Sequence, residues 1–164
     1  MIVNCQTLLG LKPIKDMVSD KRHAYGVSWG MSEAGYDIRI KQSITFQPEN
    51  AVDKAGLWLN GKYAMGRFAI ASSIEEFQMP KVLVGVVHDK STWARRGLSV
   101  FNTIIEPGWN GFLTLELVYH GRQVLTIPAG AGIAQVVFHH TSDIVSYDGK
   151  YQNQPDRPVD AIDG

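Results

Sequence analysis

Apolar and polar positions along this chain alternate in short runs rather than at helical spacing. Tyr36 to Thr45, YDIRIKQSIT, alternates as a half-buried strand does. Val82 to Val87, VLVGVV, is a continuous apolar run of the kind that suits a buried strand. Leu113 to Tyr119 and Ile133 to His139 follow, separated by Gly-, Pro- and Asn-containing punctuation: EPGWNG, YHGRQ and IPAGAG. Residues 4–19 carry a short helix or two, broken at Pro13. Many short strands at close spacing predict a mainly β domain, a barrel or a sandwich. The last stretch, YDGKYQNQPDRPVDAIDG, is polar, holds two prolines and has no core pattern.

The stretch GFLTLEL, from Gly111 to Leu117, holds the first anomaly. A glutamate sits inside a strand, where charge is depleted. The alternation sets Leu113, Leu115 and Leu117 on a core face, with Phe112, Thr114, Glu116 and Val118 on the other. Two readings stay open for Glu116. It is solvated, or it lines a pocket that lifts its pKa toward a general-base value.

Composition narrows the classes. The chain has 164 residues, of which 45% are apolar, enough for one domain with its own core. Lys plus Arg equals Asp plus Glu, 16 each, which argues against a non-specific binder of nucleic acid or of a membrane surface. No apolar run approaches the roughly 18 residues of a membrane span, and the N-terminus lacks the features of a signal peptide. Cys5 is the only cysteine, so no intrachain disulfide forms and a cytoplasmic setting is expected. One cysteine also cannot supply the His/Cys/Cys or three-cysteine zinc set of the zinc nucleobase deaminases. His23, His88, His120, His139 and His140 show no HExxH spacing, so no catalytic metal is expected on them.

Two further stretches bear candidate chemistry. DKSTWARRGL, Asp89 to Leu98, joins Lys90, Arg95 and Arg96 to the hydroxyls of Ser91 and Thr92, with Gly97 for a tight turn. Such a loop is either an ordinary basic surface loop or a polyphosphate cradle. In GIAQVVF, Gly132 to Phe138, Gln135 is a polar residue in a strand core, a satisfied amide or a ligand contact.

The order and chemistry of these stretches resemble the dCTP deaminase and dUTPase superfamily, over about residues 81–154 and more weakly at GYDIRI, Gly35 to Ile40. Lys90 to Leu98 resembles the family's phosphate motif, close to R-S-S-x-[AG]-R-x-G-L, with Lys for the first Arg and Thr for the second Ser. Lys keeps the charge and loses the bidentate fork. Glu106 stands where the dUTPases carry the acid that activates water, and Glu116, ten positions later, stands where the deaminases carry their hydrolytic glutamate. Tyr147, Lys150, Tyr151 and Gln154 match the order of the deaminases' closing C-terminal segment, with a short spacer after Tyr147.

The resemblance implies a single dUTPase-like domain over residues 1–164, a distorted β-barrel of the β-clip kind with short N-terminal helical segments, and residues 141–164 as a lid. It implies a homotrimer with sites at subunit interfaces, and Mg²⁺ carried on nucleotide phosphates rather than on the protein, without zinc. The implied reaction is hydrolytic deamination of dCTP to dUTP and ammonia, supplying pyrimidine deoxynucleotides for dTTP synthesis. Alternatives are a bifunctional enzyme giving dUMP and pyrophosphate, a dUTPase alone, or a non-catalytic nucleotide binder. Glu116 is then the general base, Ser91 positions water, and Arg95 supports the ionised Glu116. Lys90, Ser91, Thr92, Arg95, Asn102, Thr103, Ile104, Glu106, Gln135, Tyr147, Lys150 and Gln154 contact substrate. Two departures stand out. Ile104 replaces an arginine of the best-known bacterial members, and Glu106 replaces the usual Asp at the deoxyribose. The resemblance further suggests dTTP as an inhibitor and the cytoplasm of a bacterium or a phage-infected cell.

Overall fold

The computed structural model describes residues 1–47, 56–59, 62–64 and 67–163. A short strand β1 (Ile2–Val3) and a helix α1 (Cys5–Leu11) open the chain. The helix ends at Lys12 in the left-handed region, φ 47°, one residue before Pro13. A hairpin follows, β2 (Lys21–Ala24) and β3 (Val27–Met31), turned by Tyr25 and Gly26 with φ of 54° and 72°. Positive φ at both central residues suits a two-residue hairpin turn, since it matches the strand twist. Next come β4 (Tyr36–Arg39), β5 (Ile44–Gln47), β6 (Gly56–Leu59), β7 (Lys62–Ala64) and the long β8 (Phe68–Gln78). The remainder is β9 (Leu83–Asp89), the one-turn helix α2 (Ser91–Ala94), β10 (Leu98–Val100), β11 (Ile104–Ile105), β12 (Asn110–Tyr119), β13 (Leu125–Ile127) and β14 (Gly132–His140).

The strands form three antiparallel sheets around one core. The largest runs β11-β9-β14-β4-β3-β2, with β1 also on β14; the others run β10-β12-β8 and β13-β5-β6-β7. No closed barrel ladder joins the sheets among the described residues, and the chain is mainly β as expected. Tyr36, Ile38, Phe46, Phe77, Leu115, Leu117, Ile133 and Phe138 are buried in that core.

Three expectations change. YDIRIKQSIT is two strands, β4 and β5, in different sheets. The break falls where Gln42 turns inward, its amide nitrogen donating to Ser72 Oγ (2.9 Å) and its oxygen accepting from Ser72 N (2.7 Å). The run VLVGVV does not bury both faces: Leu83, Gly85 and Val87 are buried while Val84 and Val86 are half-exposed. Finally, β12 does not alternate cleanly. The β12–β8 register shifts between Phe112 and Thr114, and Leu113 N donates to Ser73 Oγ (2.9 Å) across the irregularity. A bulge re-aims side chains, so Leu113 is only partly buried, apart from Leu115 and Leu117 in the core.

Candidate active site

A cavity of about 860 Å³ lies against β12 beside this irregularity. Leu113, Thr114 and Glu116 form its floor, with Phe68 and Ile70 of β8 beside them. Asn102, Thr103, Ile104 and Glu106 form one wall. The tail forms the other with Tyr147, Tyr151, Gln154 and Val159. The volume and the mostly apolar lining with a few carboxylates and amides suit a small-molecule site.

Glu116 is half-buried, and its carboxylate makes no hydrogen bond or ion pair among the described residues. Burial alone pushes its pKa above the ordinary carboxylate value. Glu106 reaches the same cavity from the turn after β11, closed by Trp109 N donating to Glu106 O (3.2 Å), and is exposed.

The tail is strapped down along the start of β12. Gln154 forms a bridge with Gly111, and Phe112 N donates to Gln154 O (3.1 Å). Gly111 has φ 126°, and a Cβ there would meet Gln154 N at 2.5 Å, so only glycine lets the two backbones approach. Trp109 Nε1 donates to Tyr151 O (2.6 Å), and Asn110 N donates to Gln152 Oε1 (2.7 Å). Thr114 Oγ1 donates to Gln154 Oε1 and accepts from Val159 N, both at 3.1 Å. The described part of the tail thus lines the cavity through Tyr147, Tyr151, Gln154, Val159, Asp160 and Ala161; Gly164 of the expected lid lies outside the described residues.

Seven of the sequence-derived site residues thus converge: Glu116, Asn102, Thr103, Ile104, Glu106, Tyr147 and Gln154. Six others, Lys90, Ser91, Thr92, Arg95, Gln135 and Lys150, do not line this cavity. Ser91 and Arg95 are exposed on α2 and its C-cap, which Trp93 anchors by donating from Nε1 to Gly132 O (2.6 Å). Lys90 turns inward, its Nζ 2.5 Å from Asp37 Oδ2 and 2.9 Å from Ser28 Oγ. Gln135 joins the same buried network, donating to Ser32 Oγ (2.9 Å) and Asp37 Oδ1 (3.3 Å). Lys150 is exposed and donates to Ile162 O.

Sequence reasoning gave no role to Thr114 or Ile70, nor to Tyr151, which it read only as part of the tail's order. The polar tail around Val159 offered no pattern to read. Thr114 carried one signal, its i, i+2 spacing from Glu116 on one strand face.

Residues 60–141 match the model of the dCTP deaminase-like family. A dCTP deaminase of Acidovorax sp. is 36% identical over 145 residues, 78% of this chain and 77% of that one. The chain belongs to the dCTP deaminase-like family. Another of its relatives, a dCTP deaminase of Roseiflexus castenholzii, is 33% identical over 160 residues, 86% of each chain. Among solved structures, the EIAV dUTPase superposes with a TM-score of 0.52 at 19% identity, covering 84% of this chain and 92% of that one. The dUTPase of phage phi11 of S. aureus, described as coordinating a structural Mg(II) ion, gives 0.53 at 13% identity, covering 84% and 94%. These two structures share the dUTPase-like fold with this family member.

Proposed function

We propose that the protein hydrolyses the exocyclic amine of dCTP, giving dUTP and ammonia, with Glu116 as general base. One observation carries this reading: a half-buried carboxylate with no partner among the described residues, its pKa raised by burial, on the floor of a nucleotide-sized cavity in a dCTP deaminase-like chain. Glu116 takes a proton from water as the oxygen attacks C4 of cytosine. The same carboxyl passes that proton to N3 as the C4–N3 double bond opens; the remaining proton of the C4 hydroxyl then moves through Glu116 to the amino group, the exocyclic C4–N bond breaks, and ammonia leaves as the C4 carbonyl forms. Hydrogen-bond donors around C4 hold the tetrahedral intermediate.

Ser91 and Arg95 take part from a neighbouring copy in this reading, Ser91 on the water and Arg95 beside the ionised Glu116. Their exposure on α2, away from their own chain's cavity, supports a site shared between subunits of a homotrimer. Thr92 belongs to the same loop, which faces phosphate in this reading, while Lys90 anchors the loop from inside through its ion pair with Asp37, which Gln135 also contacts. Mg²⁺ arrives on the triphosphate as part of the substrate; no zinc takes part. The whole chain acts as one domain, with residues 141–164 as its lid and dTTP as an inhibitor. Among the described residues no helix is long and apolar enough to cross a membrane, and the proposed setting is the cytoplasm of a bacterium or a phage-infected cell.

A second reading rests on Glu106, which lines the same cavity. It makes the enzyme bifunctional, cleaving dUTP further to dUMP and pyrophosphate. Incubation with dCTP and Mg²⁺ separates the two. Ammonia with dUTP supports deamination alone, ammonia with dUMP and pyrophosphate supports both activities, and no ammonia refutes both. Glu116→Gln is expected to abolish ammonia release while triphosphate binding persists.

A further inference from the structure

The chain changes sheets after β10, and one side chain manages the exit. The β10–β12 ladder ends at the pair Val100↔Leu117, and the chain crosses to β11, which pairs with β9 in another sheet. Phe101 N still donates to Glu116 O (2.8 Å). Beyond it the backbone leaves, and the Asn102 amide takes its place. Asn102 Nδ2 donates to Thr114 O (2.6 Å), and Glu116 N donates to Asn102 Oδ1 (3.2 Å).

A carboxamide offers the donor and acceptor of a peptide group, so it can stand in for one more residue of the departing strand. Both backbone polar groups of Glu116 are thereby held on this edge of β12, while Ile70 of β8 faces Glu116 on the other. The oxygen and one N–H of Asn102 are spent on β12. A direct hold on a nucleotide, which the resemblance implies for this residue, competes with that arrangement.

We infer that Asn102 is a positioning residue for Glu116, clamping the β12 backbone so that the carboxylate stays aimed into the cavity. The inference rests on the deaminase reading of the cavity. Without the amide, the Glu116 N–H loses its partner and the edge of β12 is free to shift. A small displacement of a catalytic group lowers the rate by a large factor, while contacts that bind the rest of the substrate stay intact.

The test uses the full chain with Asn102→Ala and Asn102→Asp. The aspartate keeps an acceptor for Glu116 N–H and loses the donor to Thr114 O. Two readouts are taken: kcat and KM for dCTP separately, and hydrogen exchange at the Glu116 amide. Asn102→Ala is expected to lower kcat roughly 10- to 100-fold with KM changed less than about threefold, and to speed exchange at Glu116. Asn102→Asp is expected to recover part of the lost kcat and of the protection. A raised KM with kcat intact in Asn102→Ala would overturn the inference and make the side chain a substrate contact. Unchanged exchange at Glu116 would overturn it as well. If Asn102→Ala does not fold, Asn102→Asp supplies both readouts against the wild type. A wild-type protein that releases no ammonia from dCTP refutes the deaminase reading, while the exchange measurement still decides whether Asn102 holds Glu116.

Discussion

Glu116 stands directly opposite Ile70 in the β12–β8 ladder, so its carboxylate rises beside an aliphatic side chain rather than a polar one. Cross-strand partners lie within about 5.5 Å at Cβ, and this neighbour keeps water from one side of the acid. Burial is what lifts the Glu116 pKa. The acid limb of the pH–rate profile is therefore expected above the ordinary carboxylate range. Ile70→Thr, which keeps the β-branched shape and adds a hydroxyl, is expected to move that limb downward. A limb that stays in place would show that Ile70 does not set the basicity of Glu116.

The same cause has a stability consequence. A carboxyl whose folded pKa is raised favours the folded state when protonated, and that contribution is lost as pH rises through the raised value. Ionised Glu116 thus costs stability at neutral pH. Glu116→Gln is expected to raise Tm at pH 7, by an amount worth less than about 1 kcal/mol because the group is largely solvent-screened. The gain is expected to vanish below the ordinary carboxylate value, where wild-type Glu116 is protonated in both states. Thermal melts from acid to neutral pH read it directly.

Glu75 is a buried acid with a structural role. Arg39 N and Nε donate to its two oxygens at 2.7 and 2.8 Å, joining β4 to the irregular stretch of β8. Burial pushes the Glu75 pKa up, and the bonds from Arg39 oppose that shift. Arg39→Ala removes the guanidinium that favours the ionised form. It is expected to destabilise the fold by roughly 2–3 kcal/mol at neutral pH. The loss is expected to shrink toward acid pH, where Glu75 takes up a proton. Denaturant midpoints at two pH values check both parts.

Several elements of the fold were legible because the alternation was local. Leu115 and Leu117 in the core, and the helix ending before Pro13, follow from period and breaker residues. The β2–β3 hairpin was not read: Lys21, Arg22 and His23 are exposed on an edge strand and give no apolar alternation. The long β8 was missed as well, since Ser72, Ser73 and Glu75 are buried polar residues that hide its strand pattern. At the site, Glu116 stood out as a charge inside a strand, and the family pattern located Glu106, Tyr147 and Gln154. The occupation of Lys90 by Asp37 was beyond reach, because it joins positions 53 residues apart through tertiary packing.

Thr114 links the floor of the cavity to the tail. Its hydroxyl donates to Gln154 Oε1 and accepts from Val159 N. Thr114→Val has nearly the same shape and removes both bonds. The tail is expected to open more often, by roughly 10- to 100-fold for the net worth of two hydrogen bonds. Limited proteolysis after residue 141 should then accelerate, and dCTP turnover should fall with it if the tail closes the site. Faster proteolysis with unchanged turnover would separate the tail from catalysis.

The distribution of Ser91 and Glu116 gives the sharpest test of a shared site. Ser91 is exposed on α2 and lines no part of its own chain's cavity, where Glu116 sits. If a neighbouring copy supplies Ser91, then Ser91→Ala and Glu116→Gln each disable a different component of every site. Mixing the two inactive chains by co-expression places an intact Glu116 from one variant beside an intact Ser91 from the other. Random assembly of a cyclic oligomer restores about one quarter of the sites. Deamination is therefore expected to return in the mixture to roughly that fraction of the wild-type rate, while either variant alone stays inactive. No recovery, in oligomers shown by mass to contain both variants, would place Ser91 and Glu116 in the same chain's site.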